Sequence, residues 1–217
     1  MKAILFDCDG VLVNSEPTLA KVSANVMNAR GIPAKPEDFL QYIGTGEDTY
    51  LGKVVEKYNG KYTSELKDTV YQEYITQGIK DLESFPGCEK MLNDMAQKGV
   101  TMAVASSADK IKLDANLSTL DFDAEKFAAI ISGSDITRKK PWPDIYLLAA
   151  EKSNVEPEDC IVVEDAVAGI ESGNRAGMVT IGFTSNLSAQ ALKEAGADYV
   201  VDTFFEMEEI LEKLLKL

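Results

Sequence analysis

Short apolar runs alternate with helical patterns along most of the chain, and this alternation restricts the fold more than any other feature. Six nearly continuous apolar runs predict strands, at residues 3–6, 101–105, 128–131, 160–163, 179–183 and 197–201. Continuous rather than alternating apolar character is typical of strands covered on both faces. Segments between them have apolar residues at helical spacing, notably 89–98, 145–153 and 189–195. The pattern predicts an α/β fold with a parallel sheet flanked by helices.

A long stretch without strands separates the first apolar run from the second. Residues 14–82 contain helical patterns, among them 48–58 and 64–79. Ser15 is expected to cap the first helix, which carries Leu19 on its apolar stripe. The chain is therefore expected to have two domains, an α/β core at residues 1–13 and 83–217 and an all-helical insert at residues 14–82.

Composition excludes several classes of protein. The formal net charge is −14, which argues against binding nucleic acid or an anionic membrane, because both require a basic surface. No apolar run approaches the roughly 18 residues of a membrane span, and the first residues lack the apolar segment of a signal peptide. Three widely spaced cysteines without a Cys-x-x-Cys pair are typical of reduced thiols, so we expect a cytoplasmic protein.

The chain has no histidine. Its absence excludes Ser-His-Asp and Cys-His catalysis and histidine-ligated zinc. Cys8 lies between two acids, which raise the pKa of a thiol, so it is not expected to be a nucleophile. Any chemistry must therefore rely on carboxylates, hydroxyls and lysines.

Polar residues follow four of the predicted strands. They are Asp7 and Asp9 after the first, Ser106 and Ser107 after the second, Arg138-Lys139-Lys140 in the loop after the third, and Glu164 and Asp165 after the fourth. Ligands of open parallel sheets bind outside the carboxyl ends of the strands, so these side chains are expected to converge. Four ionised carboxylates there would repel one another. One Mg²⁺ ion, a cation that prefers oxygen ligands, together with Lys140 would neutralise all but one of these charges.

Each of these motifs has a structural explanation when it is taken alone. Asp-x-Asp-Gly is usually a turn, and paired lysines are usually solvated. Glu164 and Asp165 could simply begin a helix, because acids there interact favourably with the helix dipole. The four together, at the ends of strands in one sheet, predict a catalytic site.

In order along the chain, Asp7-Cys8-Asp9-Gly10, Ser106, Lys140 and Glu164-Asp165 resemble the four motifs of the haloacid dehalogenase superfamily. The insert resembles the helical cap of its β-phosphoglucomutase-like branch, and the resemblance covers essentially the whole chain. It implies a Rossmann-like core with an inserted all-helical cap.

The resemblance also implies roles for the acids. Asp7 would attack phosphorus and form an aspartyl phosphate. Asp9 would protonate the leaving oxygen and then deprotonate the attacking water. Asp7, the backbone carbonyl of Asp9 and Asp165 would hold Mg²⁺, with Glu164 close by.

The other motif residues would bind the substrate. The phosphate would contact Ser106, Ser107 and Lys140, with Gly10 providing the tight turn after the acids. Lys140 is preferred over Lys139 because Pro141 restricts the residue before it to extended geometry. The leaving group would be contacted by cap residues, namely Ser15, Leu19 and the loop at residues 44–48.

Cap residues bear on the choice between phosphatase and mutase. In β-phosphoglucomutases the cap loop has a phosphate-binding arginine, whereas this chain has Gly44-Thr45-Gly46-Glu47. Lys53 or Lys110 could replace it, but the simpler interpretation is a Mg²⁺-dependent phosphatase of a small phosphorylated metabolite, a sugar phosphate. The alternatives are a phosphosugar mutase and a non-catalytic ligand-binding protein. The expected partner is the small substrate alone, with no nucleic acid or membrane, and the expected state is a monomer.

Overall fold

The computed structural model describes residues 2–217, and its centre is a parallel sheet. The strands are β1 (Ala3–Phe6), β2 (Thr101–Ala105), β3 (Ala129–Ile131), β4 (Cys160–Glu164), β5 (Val179–Phe183) and β6 (Tyr199–Val201). Their order is β3-β2-β1-β4-β5-β6, and every pairing is parallel. The predicted α/β fold with a Rossmann-like parallel sheet is confirmed.

Helices cover both faces of the sheet and form the segment that follows β1. They are α1 (Glu16–Ala29), α2 (Glu47–Lys57), α3 (Ser64–Thr76), α4 (Cys88–Gln97), α5 (Lys110–Leu117), α6 (Asp144–Lys152), α7 (Val167–Arg175), α8 (Ala189–Glu194) and α9 (Phe204–Leu215). The helices predicted at residues 89–98, 145–153 and 189–195 correspond to α4, α6 and α8. Within residues 2–217, no helix has both the length and the apolar character needed to cross a membrane.

The central strand β1 contributes side chains to both faces of the sheet. Ile4 and Phe6 belong to one apolar layer, and Ala3 and Leu5 belong to the other. All four side chains are fully buried, which explains why the run is continuously apolar. Any polar residue that follows β1 is therefore held at the edge of a rigid, doubly covered sheet.

Residues 14–82 form helices around their own apolar cluster. That cluster includes Leu19 of α1, Leu51 of α2 and Tyr74 of α3. Two short 3₁₀ helices, Pro36–Tyr42 and Gly78–Asp81, complete the segment. The helical segment thus has a core separate from the two layers that cover the sheet.

The expectation that Ser15 caps α1 with its side chain is wrong. Ser15 stands at the helix start, but its hydroxyl makes no capping hydrogen bond. It donates instead to Asp9 Oδ1. Ser15 has helical backbone angles, with φ −85° and ψ −23°, whereas a residue that caps with its side chain is usually extended.

The two connections between the sheet and the helical segment lie side by side. Val13 and Ser84 form an antiparallel bridge, and the N–H of Asn14 donates to the carbonyl of Glu83 at 3.1 Å. The segment therefore leaves and rejoins the α/β core at one narrow neck.

Candidate active site

Three carboxylates meet at the carboxyl end of the sheet. Phe6, the last residue of β1, lies opposite Val163 of β4, and the N–H of Asp7 donates to the carbonyl of Val163 at 2.9 Å. This register brings Asp7 beside Glu164 and Asp165. Oxygen atoms of these three acids lie within 4.8 Å of one another, and all three residues are buried.

Glu164 is fixed by the start of α7. Its Oε2 accepts hydrogen bonds from the backbone N–H groups of Asp165 and Ala166, at 3.0 and 3.1 Å. The hydroxyl of Tyr146 donates to Oε1 at 2.9 Å. A Cβ at position 169 would lie 1.8 Å from the same Oε1, so Gly169 leaves the space that the carboxylate occupies. The N–H groups at the start of α7 and the hydroxyl of Tyr146 thus fix the position of the Glu164 carboxylate.

Lys140 is the cation of this cluster. Its Nζ lies 2.5 Å from Asp7 Oδ1 and 2.6 Å from Glu164 Oε1, and it also donates to the carbonyl of Ala105 at 3.1 Å. The neighbouring Lys139 donates instead to the carbonyl of Gly133. Of the two lysines, it is therefore Lys140 that reaches the acids.

One lysine does not neutralise the three acids. Burial raises the pKa of Asp7 to about 8; Lys140 lowers it, and the charges of Glu164 and Asp9 add to the rise. Burial, with the charges of Glu164 and Asp7, holds the pKa of Asp165 well above its usual range. Ionising all three acids beside one lysine would leave an excess of negative charge, which a hard divalent cation with oxygen ligands such as Mg²⁺ would neutralise.

Asp9 lies outside this cluster and has different partners. Its carboxylate accepts hydrogen bonds from Ser15, from Ser106 Oγ at 3.3 Å and from Asn116 Nδ2 at 2.9 Å. Lys112 Nζ lies 2.8 Å from Oδ1. Burial opposes ionisation, but Lys112 and the hydroxyls lower the pKa of Asp9 below its usual value. Asp9 is ionised in this arrangement, and its carboxylate is not among the clustered oxygens.

Lys112 connects the two parts of the chain, and sequence reasoning missed it. It belongs to α5, is buried, and pairs with Asp9 and, at 3.3 Å, with Glu47 at the start of α2. Glu16, at the start of α1, is also near: burial raises its pKa to about 7, Lys112 lowers it, and Asp9 and Glu47 add to the rise. Most lysines are solvated, so a lysine in a sequence does not by itself predict a buried site. The one available signal was that Lys112 and Asn116 are four residues apart and therefore lie on the same face of a helix.

A cavity of about 40 Å³ lies between the sheet edge and the helical segment, with room for about three water molecules. On the core side it is lined by the clustered acids with Asp9, Lys140, Lys112, Ser106, Ser107, Ala108 and Ala166, and on the helical side by Glu16, Leu19, Tyr42, Ile43, Gly44, Gly46, Glu47 and Tyr50. Ser107 Oγ is buried without a hydrogen-bond partner within residues 2–217. Of the residues expected to contact the leaving group, Leu19 and part of the loop at residues 44–48 line this cavity and Ser15 does not.

Gly10 forms a turn after the two acids. Its N–H donates to the carbonyl of Val13 at 2.9 Å. Its φ is +77°, and a Cβ there would lie 2.1 Å from Asp165 Oδ2. Gly10 therefore provides the turn and the space for Asp165. Asn186, which sequence reasoning also missed, donates to the same oxygen at 2.7 Å.

Comparison with known proteins gives the family. Residues 4–183 match the family model described as haloacid dehalogenase-like hydrolase. The chain belongs to this family. The predicted family is confirmed, and the chain spans only 20% and 54% of the length of two of the curated relatives that it matches.

Individual relatives agree with this assignment. The chain is 36% identical over 206 residues to the chloroplastic protein SUPPRESSOR OF QUENCHING 1 of Arabidopsis thaliana, covering 93% of this chain but only 20% of that protein. It is 32% identical to the phosphorylated carbohydrates phosphatase of Thermotoga maritima, covering 99% of this chain and 98% of the relative. The structure of β-phosphoglucomutase from Clostridium difficile superposes with a TM-score of 0.84 at 26% identity, covering 100% of this chain and 98% of that one.

Proposed function

We propose that this protein is a Mg²⁺-dependent phosphatase that hydrolyses a small phosphorylated metabolite by way of a phosphorylated Asp7. The observation that carries the proposal is the position of Asp7, at the end of the central strand, with Lys140 Nζ 2.5 Å from its Oδ1. A carboxylate and a buried cation so close together provide a nucleophile and a binding group for a phosphate. A relative that aligns along its whole length is named a phosphatase of phosphorylated carbohydrates.

The three clustered acids support the metal requirement. Asp7 and Asp165, with the backbone carbonyl of Asp9, would hold Mg²⁺, and Glu164 would stay close while keeping Lys140 in place. Once bound, Mg²⁺ neutralises charge on the transferring phosphoryl group. The oxygen-only donor set and the excess of negative charge fit this ion.

The residues of the chain then divide the reaction into two steps. In the first, an oxygen of Asp7 forms a bond to phosphorus while the bond from phosphorus to the leaving oxygen breaks, and Asp9 gives that oxygen a proton. In the second, Asp9 takes a proton from water, whose oxygen displaces Asp7 from phosphorus. Ser106, Ser107 and Lys140 hold the phosphate oxygens. The low pKa of Asp9 in this arrangement suits the second step, whereas the first step requires Asp9 to carry a proton.

The helical segment, residues 14–82, is proposed to be a cap that closes over residues 1–13 and 83–217. Its separate apolar core and its single neck support movement as one body. The cavity of about 40 Å³ is too small for a sugar phosphate. The cap must therefore open to admit substrate, and its closure excludes bulk water from the phosphorylated aspartate.

A phosphosugar mutase is the second candidate, and the likeness to a β-phosphoglucomutase favours it. A mutase must bind two phosphates. Among the described residues that line the cavity, the cations are Lys140 and Lys112, and Lys112 is already paired with two acids. Lys53 and Lys110 are exposed and pair with Glu56 and Asp114 at 3.0 and 2.7 Å. This distribution of charge favours the phosphatase.

The test is release of inorganic phosphate from p-nitrophenyl phosphate and from a panel of sugar phosphates. We expect release to require Mg²⁺, to stop in EDTA and to fall below detection in Asp7→Asn. Asp68→Asn, which changes an exposed acid of α3, should retain full activity. Full activity in Asp7→Asn would refute the nucleophile. Interconversion of a hexose 1-phosphate and 6-phosphate without phosphate release would establish the mutase, and tight binding without turnover would establish the binding protein.

We further propose a cytoplasmic monomer. Cys8, Cys88 and Cys160 are all unpaired and buried, which suits a reducing compartment. Light scattering after size-exclusion chromatography would test the oligomeric state, and a mass near twice the calculated 23.7 kDa would contradict a monomer.

A further inference from the structure

The wall of the cavity that belongs to the helical segment is acidic. Glu16 at the start of α1 and Glu47 at the start of α2 both line the cavity, and both are 8% exposed. Tyr50, one turn after Glu47, lines it as well and is 4% exposed. Two carboxylates and a phenol therefore face the enclosed space from one side.

The lysines that line the cavity are already paired with acids. Lys112 lies 2.8 Å from Asp9 and 3.3 Å from Glu47, so one ammonium group serves two acids and is also close to Glu16. The other cation lining the cavity, Lys140, is held between Asp7 and Glu164. With Glu16 ionised, the region around Lys112 has three acids for one base and a net negative charge.

Two polar atoms of this wall lack partners. Glu16 Oε2 and the hydroxyl of Tyr50 are both buried and make no hydrogen bond within residues 2–217. A buried polar group without a partner is destabilising. Donors on a bound molecule would remove that cost, whereas a second carboxylate would add repulsion in a partly desolvated space.

The geometry of the cavity decides which part of a substrate meets this wall. A phosphoryl group in contact with Asp7 and Lys140 lies at the sheet edge. The rest of the ester must then occupy the space toward the helical segment, because the core closes the other side. The wall formed by Glu16, Glu47 and Tyr50 is thus in contact with the leaving group.

We propose that this wall selects phosphate esters whose leaving group carries several hydrogen-bond donors, either hydroxyl groups or an ammonium group, and rejects leaving groups that carry a carboxylate. The inference rests on the proposed phosphatase function, since it concerns the substrate of the same site. Glu16 and Glu47 accept the donors of the leaving group, and the Tyr50 hydroxyl adds a further polar contact.

Three esters with related six-carbon skeletons test the proposal in the wild-type protein with Mg²⁺. They are glucosamine 6-phosphate, glucose 6-phosphate and 6-phosphogluconate. We expect kcat/KM for glucosamine 6-phosphate and glucose 6-phosphate to exceed that for 6-phosphogluconate by about tenfold or more, the size of effect that one satisfied or repelled polar group produces. For esters that are not turned over, competitive inhibition of p-nitrophenyl phosphate hydrolysis should follow the same order.

A matched pair of variants assigns the effect to the wall. In Glu16→Gln the ratio of kcat/KM between glucosamine 6-phosphate and 6-phosphogluconate should fall about fivefold or more, because one negative charge is lost while the shape is kept. Glu56→Gln removes an exposed acid of α2 and should leave the ratio unchanged. Glu47→Gln provides a second test of the same wall if Glu16→Gln does not fold.

The outcomes separate this inference from the function on which it rests. If the wild-type protein does not hydrolyse p-nitrophenyl phosphate, the phosphatase itself is refuted. If it does, and 6-phosphogluconate is turned over or bound as well as the other two esters, only the selectivity is refuted. An unchanged ratio in both Glu16→Gln and Glu47→Gln would also overturn the assignment to this wall.

Discussion

Lys140 and Lys112 are both buried beside an aspartate for which we propose a catalytic role, but different parts of the chain surround them. Lys140 contacts Asp7 and Glu164, and all three residues belong to the α/β core. Lys112 contacts Asp9 in the core and Glu47 at the start of α2 in the proposed cap. The first cluster is formed by the core alone, whereas in the second Lys112 and Asp9 belong to the core and Glu47 is contributed by the proposed cap.

This difference separates two tasks proposed for one site. The Lys140 cluster, proposed to bind phosphate, is assembled by the sheet itself and is expected to keep its geometry when the proposed cap opens. The Lys112–Asp9 pair also lies within the core, but Glu47 of the helical segment shares Lys112 with Asp9. The position of the cap is therefore expected to change how Lys112 is divided between Asp9, the proposed general acid–base residue, and Glu47.

The largest expected effect comes from breaking the first cluster. Lys140→Met leaves Asp7 and Glu164 buried without a counter-charge, which should lower the free energy of unfolding by about 3–5 kcal/mol. Phosphate release should fall by at least about a hundredfold. Urea unfolding in EDTA and an assay of inorganic phosphate measure the two changes. If Lys140→Met unfolds in EDTA at the same urea concentration as the wild-type protein, this cluster is not the buried charge group described above.

Two glycine-to-alanine substitutions test steric contacts instead of charge. One lies beside Asp165 of the acid cluster, and the other lies in the helical segment. Gly10→Ala places a Cβ 2.1 Å from Asp165 Oδ2 at a φ of +77°, whereas Gly31→Ala, after α1, has a φ of +78° and nothing within 4 Å. Both changes should cost the left-handed backbone strain of about 1–2 kcal/mol. Gly10→Ala should lower the free energy of unfolding more than Gly31→Ala does. It should also raise the Mg²⁺ concentration needed for half-maximal phosphate release. Equal loss of stability in the two variants would mean that Asp165 moves aside freely.

Lys112→Met should have a smaller effect on stability than Lys140→Met, about 1–2 kcal/mol, because the open cap lets water reach Asp9 and Glu47. We expect kcat to fall about tenfold, since Lys112 lowers the pKa of Asp9 and the second step needs Asp9 ionised as a base. A double-mutant cycle with Glu47→Gln, read out as kcat, should give a coupling energy of about 1 kcal/mol. Additive effects would show that the lysine does not connect cap and core.

The smallest effect is expected inside the cap, away from both clusters. Asp38 lies 2.5 Å from Lys57, and although burial opposes ionisation, the contacts with Lys57, Tyr58 and the N–H of Lys35 lower its pKa to about 2. Because the folded pKa is below the ordinary value of 3.8, its stabilising effect is full above that pH and is lost as the pH falls through about 2.

Asp38→Asn should therefore lower the urea midpoint slightly at pH 7, and the difference from the wild-type protein should shrink as the pH falls to 2. Phosphate release at pH 7 should not change. A midpoint difference that persists at pH 2 would show that the substitution acts through packing rather than through the charge.

The sequence alone was sufficient to predict which site residues lie at the ends of strands. Asp7, Glu164 and Lys140 follow predicted strands or their loops, and parallel strands place such residues at one edge whatever the details of packing. Lys112 and Asn116 were missed because they lie on a helix, and which face of α5 meets the sheet edge depends on how helix and cap pack. Ser15 was assigned to a helix cap because the residue pattern at a helix start does not show that the chain turns to bring Asp9, six residues earlier, to the Ser15 hydroxyl.

The narrow neck at Val13 and Ser84 has an evolutionary consequence. Because the chain leaves and re-enters the core through adjacent residues, residues 14–82 can be replaced or lengthened as a unit while the sheet keeps its register. A change in this insert can then alter the preference for the leaving group, and the residues proposed for phosphoryl transfer stay in place.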